Sequence, residues 1–469
     1  MLFTRSDIAA ATGGTLLGEA AGTVSGVSTD SRTVAAGELF VPLRGERFDG
    51  HDYLAAAAAR GVQTVLVEQQ WLAANQPPAG VAVVAVPDTL RALGDLASFH
   101  RRRFRIPVVA VTGSNGKTTT KEMLAAILSR TGAGLKTSGN LNNLIGLPQM
   151  LLQLNADHRW AVLEMGMSAF GEIDRLAEIA QPELGIITNA YPAHLETLGS
   201  VEGVARAKGE LFLRLPVGGC AIFNADDPLI VACPSPDGVR RFSFGLHNAD
   251  VTAAEIESLG RDGQRFLLRL PTATVPVKLR AFGRHNVANA LAAAAAAYLL
   301  DIHPEEIARG LEDFTPYARR FNLEEVGGLV LIDDSYNANP ASMAAALTTV
   351  RELHDKRSAV AVLGDMLELG EGTEEAHRQL GRLAATCVNR LYVLGGMAKI
   401  VAAGALEGGL EEQAVIVAAN HDEILADLRR TVATGDFILV KGSRGMVMER
   451  IAEGIRKMGT AATGKEGAV

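Results

Sequence analysis

The densest chemistry in the chain lies in Gly113-Ser-Asn-Gly-Lys-Thr-Thr119. Glycines let backbone N–H groups approach an anion, the Lys117 ammonium can bridge phosphate oxygens, and the Thr118 hydroxyl can ligate Mg²⁺. Gly113, Ser114, Asn115, Gly116, Lys117, Thr118 and Thr119 are therefore the candidate nucleotide-binding residues. Only Ser114 and Asn115 separate the two glycines, so this loop is shorter than the common phosphate loop. Glu164, in Leu163-Glu-Met-Gly-Met-Ser168, ends a β-rich run where a carboxylate could join a magnesium ion's oxygen shell. The bland alternative is an exposed strand-end acid.

Such a loop needs a strand before it and a helix after it. Residues 107–112 are apolar and β-rich, and 118–129 carry a helical pattern. Further runs at 160–164 and 185–188, separated by helical segments, predict a mostly parallel sheet. The whole reads as three α/β domains. A small N-terminal α/β domain (1–104) has strands at 38–43 and 63–68 around a helix at 53–60. A central phosphate-loop domain (105–316) ends with an alanine-rich segment, 292–297, that suits a buried helix. A C-terminal Rossmann-like domain (317–469) has strands at 328–333, 359–363, 390–394, 414–418 and 436–441, with helices at 340–354 and 373–385. Its end, from about Lys457, is expected to fray.

Composition agrees and excludes some functions. A chain of 469 residues exceeds what one hydrophobic core supports, and 48% hydrophobic with 21% charged residues is a globular balance. A net charge of -8 offers no field for phosphate backbones, which argues against nucleic acid as a partner. The one dense basic run, Arg101 to Arg103 with Arg105 beyond, reads as a solvated helix end. Cys220, Cys233 and Cys387 are widely spaced without metal-binding partners, so free thiols in a reducing cytoplasm are expected. No export signal is visible, and the longest apolar stretch, 291–300, falls short of the ~20 residues that span a bilayer.

The segment Thr112-Gly-Ser-Asn-Gly-Lys-Thr-Thr-Thr-Lys-Glu122 resembles the ATP loop of the Mur ligases, a family of cell-wall amide-bond ligases related to folylpolyglutamate synthetase. The resemblance runs from Ser28 to about Glu449 and implies ATP as cosubstrate with two Mg²⁺ ions. It makes Glu164 a magnesium ligand and gives His194, in Thr188-Asn-Ala-Tyr-Pro-Ala-His194, a place at a second ion; alone, it would be an ordinary loop histidine. Lys208 would otherwise read as a solvated helix lysine. The matching family lysine carries a carbamate, which turns a cation into an anionic oxygen ligand and needs a neutral amine. Asn289, in Arg284-His-Asn-Val-Ala-Asn289, resembles the residue lying against adenine. In Tyr317-Ala-Arg-Arg-Phe321, Arg320 matches an arginine that reaches the nucleotide phosphates, although Arg319 stands where the family has glycine. Asp334 matches an acid that contacts ATP.

The stretch Ile332-Asp-Asp-Ser-Tyr-Asn-Ala-Asn-Pro340 is similar to the subgroup that adds D-alanyl-D-alanine, with Asn337 and Asn339 as candidate substrate contacts. The segments 364–370, with His377, and 440–445 resemble it too. In the first domain Ser31, Arg32, Asp49, Gly50 and His51 match elements that bind the UDP precursor. The implied partners are thus UDP-N-acetylmuramoyl-tripeptide and D-alanyl-D-alanine, acted on by a monomer, with Lys117, His194 and Lys208 as the catalytic set. Two other readings stay open: another ligase of the same family or of the folylpolyglutamate type, and a nucleotide-switch binding protein that turns ATP over only to change partners.

Overall fold

Val108, Val109, Ala110 and Val111 are all buried, as expected of a strand covered on both faces. In the computed structural model, which describes residues 3–354 and 357–463, the strand Val108–Thr112 lies inside a six-stranded sheet. Its neighbours are Ala161–Glu164 and Leu184–Ile187, and every pairing in the sheet is parallel. The sheet's carboxyl edge therefore presents the loops after these strands side by side, the usual place for a ligand in an open α/β sheet. Helix Lys117–Ser129 leaves that edge and packs against helix Arg284–Leu299. Ala290 and Ala292 to Ala297 are fully buried there, their small side chains letting the two helices close on each other.

The third domain holds a second six-stranded sheet, parallel except for its edge strand Asn322–Val326. Leu329–Asp334 and Phe437–Lys441 lie next to each other in it, so the loops after residues 334 and 441 emerge together. The first domain carries a five-stranded sheet in which only Thr15–Leu17 runs antiparallel. The strand expected over 38–43 pairs only as Glu38–Phe40, since Pro42 has no N–H for a ladder.

Three features differ from expectation. The central domain also holds a three-stranded antiparallel meander, Thr252–Ser258, Gln264–Leu270 and Ala273–Leu279. Alternating burial in its last two strands reflects a period-2 pattern present in the sequence. Helix Glu449–Thr463 continues past Lys457, where fraying was expected, and its first half buries Ile451, Ala452 and Ile455 against the third sheet; residues 464–469 lie outside the described residues. Arg101 is not solvated. It is 6% exposed and donates to the carbonyls of Ala180 (3.2 Å) and Phe104 (2.8 Å), tying the end of helix Thr89–Arg101 to the central domain.

Candidate functional site

The phosphate loop is shaped by glycines and by the neighbouring strand. Gly113 (φ 150°) and Gly116 (φ 84°) both adopt positive φ; a Cβ on the first would strike the Thr188 hydroxyl and on the second the Asn289 amide. The segment 188–191 serves as a template for the loop. Ser114 N–H donates to the Asn189 carbonyl (3.0 Å), Asn115 N–H to Asn189 Oδ1 (2.8 Å), and Thr188 Oγ1 to the Asn115 carbonyl (2.6 Å). Lys117 folds over the loop, its Nζ donating to the carbonyls of Gly113 (2.5 Å) and Ser114 (3.3 Å). Crowding away from water lowers its pKa, opposed by the charge of Glu164 and reinforced by that of Arg320.

Glu164 is not an exposed strand-end acid. It is 2% exposed and accepts from Thr118 Oγ1 (2.9 Å) and Asn142 Nδ2 (2.8 Å), and its own N–H donates to Thr137 Oγ1 (2.9 Å). Two oxygen donors, a carboxylate and a hydroxyl, thus meet at the start of helix Lys117–Ser129, where the helix dipole also favours anions. Such a pair suits magnesium. Among the described residues no three His, Cys, Asp or Glu side chains converge as a metal cluster.

Lys208, on helix Val201–Leu213, is buried, and its pKa lies well below the usual lysine value, through burial first and the charge of Lys117 second. A lowered pKa raises the share of the amine in its neutral form. His194 has left-handed backbone (φ 53°), and its Nδ1 lies 2.6 Å from Oε2 of Glu368, which also has positive φ (63°) and whose carbonyl accepts from Leu195 N–H (3.3 Å). Glu368 belongs to the segment 364–370, which buried His377 supports by accepting from Met366 N–H (2.9 Å).

Asn289 is buried beside Gly116; its Nδ2 donates to Asn286 Oδ1 (3.0 Å) and its Oδ1 accepts from Thr120 Oγ1 (3.4 Å). The geometry also separates the two arginines. Arg319 takes the left-handed backbone (φ 63°) that favours glycine, and its side chain turns away to Glu449 (3.0 Å). Arg320 faces the cleft, stacked 3.9 Å over the Tyr336 ring with Nη2 3.5 Å from Thr118 Oγ1 and a buried Nε without a hydrogen-bond partner. Asp334 accepts from Lys441 Nζ (2.6 Å), which also donates to the Asn337 carbonyl (3.0 Å), and Asn337 Oδ1 accepts from Arg444 N–H (3.2 Å).

One cleft of about 560 Å³ gathers these groups: Gly113 to Lys117, Thr119, Glu164, His194, Lys208, Asn289, Arg320, Asp334, Asn337 and Asn339 all line it, with Thr118 buried beneath. Asn142, Asn189, Tyr336 and Glu368 are not individually expected from the sequence, whereas Lys441 belongs to 440–445, where a lysine and an arginine beside backbone amides suit a dipeptide carboxylate. The other four are polar loop residues whose partners lie far along the chain.

The first-domain candidates do not line this cleft. Arg32 is exposed and pairs with Asp30 (2.7 Å), whose pKa falls to about 2 through that hydrogen bond. Gln149 Nε2 donates to Thr29 Oγ1 (2.9 Å), bringing this loop against the central domain. The contacts expected from Gly50 and His51 are corrected by their burial. A Cβ on Gly50 would strike the Leu43 backbone. The His51 ring is fully buried, with Nδ1 on Asp49 Oδ1 (2.6 Å) and Nε2 accepting from Glu68 N–H (3.1 Å), so neither nitrogen is left for a ligand. Their part is to build the turn that presents Asp49. His51→Ala is therefore expected to destabilise the first domain by about 2 kcal/mol, from orphaned partners and a lost stack on Trp71; denaturant titration reads this, and unchanged stability would contradict it.

Three families match the chain in succession: "Mur ligase family, catalytic domain" over residues 23–101, "Mur ligase middle domain" over 111–297, and "Mur ligase, glutamate ligase domain" over 319–444. The UDP-N-acetylmuramoyl-tripeptide--D-alanyl-D-alanine ligase of Escherichia coli is 40% identical over 445 residues, covering 93% of this chain and 95% of that one. Among solved structures, MurF from Acinetobacter baumannii superimposes with a TM-score of 0.89 at 35% identity, over 97% of this chain and 99% of that one. The MurF ligase of Thermotoga maritima in complex with ADP does so with a TM-score of 0.83 at 27% identity, over 93% and 98%.

Proposed function

The chain belongs to the Mur ligase family, and from that premise we infer that it is an ATP-dependent ligase joining D-alanyl-D-alanine to UDP-N-acetylmuramoyl-tripeptide. Similarity over nearly the whole length to ligases of that name supports the substrates. The single observation that carries the chemistry is the phosphate loop facing Arg320, Asp334 and Lys441 across one cleft.

Joining a carboxylate to an amine in water is uphill, and a carboxylate oxygen is a poor leaving group; an acyl phosphate removes both obstacles. The terminal carboxylate oxygen of the tripeptide attacks the γ-phosphorus of ATP, and ADP leaves. Lys117 and Arg320 neutralise the charge that spreads over the transferring phosphoryl oxygens, and the backbone N–H groups of the loop orient them. The free amine of D-alanyl-D-alanine then attacks the acyl carbon. The tetrahedral intermediate loses its amine proton and expels inorganic phosphate, leaving the new amide. Lys441 and Arg444, emerging beside Asn337 and Asn339, provide cationic and polar groups for the dipeptide.

Thr118 and Glu164 would hold one magnesium ion, and His194 with a carbamylated Lys208 a second; when bound, these ions neutralise phosphate charge. The buried oxygen pair and the buried amine of lowered pKa fit that use. The precursor's UDP end sits on the first domain (1–104) near Ser31, Arg32 and Asp49, ATP on the second (105–316) with Asn289 toward adenine, and the dipeptide beside the third (317–469). No helix among the described residues is long and apolar enough to cross a membrane, and Cys220, Cys233 and Cys387 are buried free thiols. On this reading the enzyme works as a monomer in the cytoplasm.

The test is phosphate release from ATP with the UDP-tripeptide and the dipeptide supplied singly and together, the product being weighed by mass spectrometry. Release that needs both, with a pentapeptide product, is expected. Turnover indifferent to the dipeptide would point instead to a nucleotide switch.

A further inference from the structure

Asn115 and Asn339 were each expected to touch a ligand, ATP and the dipeptide respectively. The structure instead brings them to each other. Asn115 Nδ2 donates to Asn339 Oδ1 (3.1 Å), and Asn339 Nδ2 donates back to Asn115 Oδ1 (2.8 Å). The two residues are 224 positions apart and come from different sheets. A reciprocal amide pair is demanding: each side chain offers one donor and one acceptor at once, and flipping either amide breaks both bonds.

Neither partner is loose. The backbone of Asn115 is tied to the central domain through Thr188 and Asn189. Asn339 caps helix Pro340–Leu353 as a full capping box: its Oδ1 accepts from Ser342 N–H (2.8 Å), and its own N–H donates to Ser342 Oγ (3.0 Å). Proline at the first helical position fixes the approach of the chain. A stiff helix end in the third domain therefore grips the Asn115 side chain in the middle of the phosphate loop. On the other flank of the cleft, Glu368 meets His194 and Leu195 from the same domain, so the third domain touches the central one on both sides of the nucleotide loop.

We propose that Asn339 is a positioning residue for the phosphate loop: through its amide clasp with Asn115, docking of the third domain fixes the loop, and nucleotide held by the loop favours docking in return. Binding linkage is reciprocal, so a contact that steadies the loop in the docked form must make nucleotide and docking support each other. The proposal deepens the ligase reading and rests on it for its ligand, ATP.

A double-mutant cycle on the full-length protein tests it, with Asn115→Ala, Asn339→Ser and the pair. Serine keeps a helix-capping hydroxyl but is too short to reach Asn115, so the helix survives while the clasp is lost. The readouts are the dissociation constant of ADP with magnesium and the radius of gyration in solution, with and without ADP. Each single variant is expected to weaken ADP binding about tenfold, the pair no more than either single, and all three to scatter as more open particles than the parent. Losses that multiply in the pair, or an Asn339→Ser protein as compact and as tight for ADP as the parent, would overturn the clasp. If the parent does not bind ADP, the ligase reading fails instead. The clasp is then decided by scattering alone: equal opening in all three variants supports it, and none overturns it.

Discussion

Lys117→Ala is expected to lower the rate of phosphate release about 10³-fold while weakening nucleotide binding far less, because the lost charge matters most when the γ-phosphoryl group is in flight. The side chain already lies along the loop, with its ammonium on the carbonyls of Gly113 and Ser114 and under the influence of Glu164. A cation held there can move onto phosphate oxygens with small rotations of its stem. The transition state spreads negative charge over three oxygens, and a preset positive charge in a water-poor cleft stabilises it more than it stabilises ground-state ATP. Lys117→Arg should recover only part of the rate, since a planar guanidinium is broader than the ammonium that fits against the carbonyls of Gly113 and Ser114. Rapid-quench measurement of a single turnover, alongside ADP affinity, separates the two effects. A fall in affinity that matches the fall in rate would show Lys117 to be a ground-state binder and remove it from the catalytic set.

How much of this could be read in advance depended on distance along the chain. The phosphate loop was legible because its donors are consecutive backbone N–H groups, and the strand before it and helix after it have their own periodicities. The same holds for the two acids at 333–334 and the capping proline at 340. What holds the loop in place was not legible: Thr188 and Asn189 reach it from 73 and 74 positions away, and Asn339 from farther still. A polar loop residue gives no sign of which other loop it will face.

Burial was the second blind spot. His51 and Gly50 were expected as ligand contacts through the resemblance of their loop, yet the first is a closed hydrogen-bonding unit and the second a point of backbone contact. Glu164 went the other way, since nothing in its neighbours distinguishes an exposed strand end from one roofed by Thr118 and Asn142. The two arginines part through their partners: Arg319, at positive φ, pairs with Glu449, while Arg320 stacks on Tyr336 and faces Thr118.

Lys208→Ala is expected to cost about 10³-fold in turnover, within the range for losing an electrostatic group at the transition state, and added formate or acetate should restore part of the loss. The reason lies in where the amine sits. Helix Val201–Leu213 holds it away from water, Lys117 adds a like charge, and among the described residues it forms no ion pair with a carboxylate, so its pKa falls well below the ordinary lysine value. In its neutral form the nitrogen has a free lone pair, which can attack CO₂ to give an N-carboxylate with release of a proton. A small carboxylate diffusing into the space left by alanine would replace that group's oxygens but not its tether, which is why rescue should be partial. Stability gives an independent check. A buried lysine whose native pKa is depressed binds fewer protons folded than unfolded across the window between its two pKa values, so its cost to the fold grows as pH is lowered through that window. Lys208→Met, which keeps the volume and removes the titrating group, should therefore raise the melting temperature by about 3 °C at neutral pH without magnesium. The gain should shrink as pH rises toward the usual lysine range. An inactive Lys208→Ala that no carboxylate rescues, together with a Lys208→Met protein less stable than the parent, would mean that the amine acts as a charged packing group.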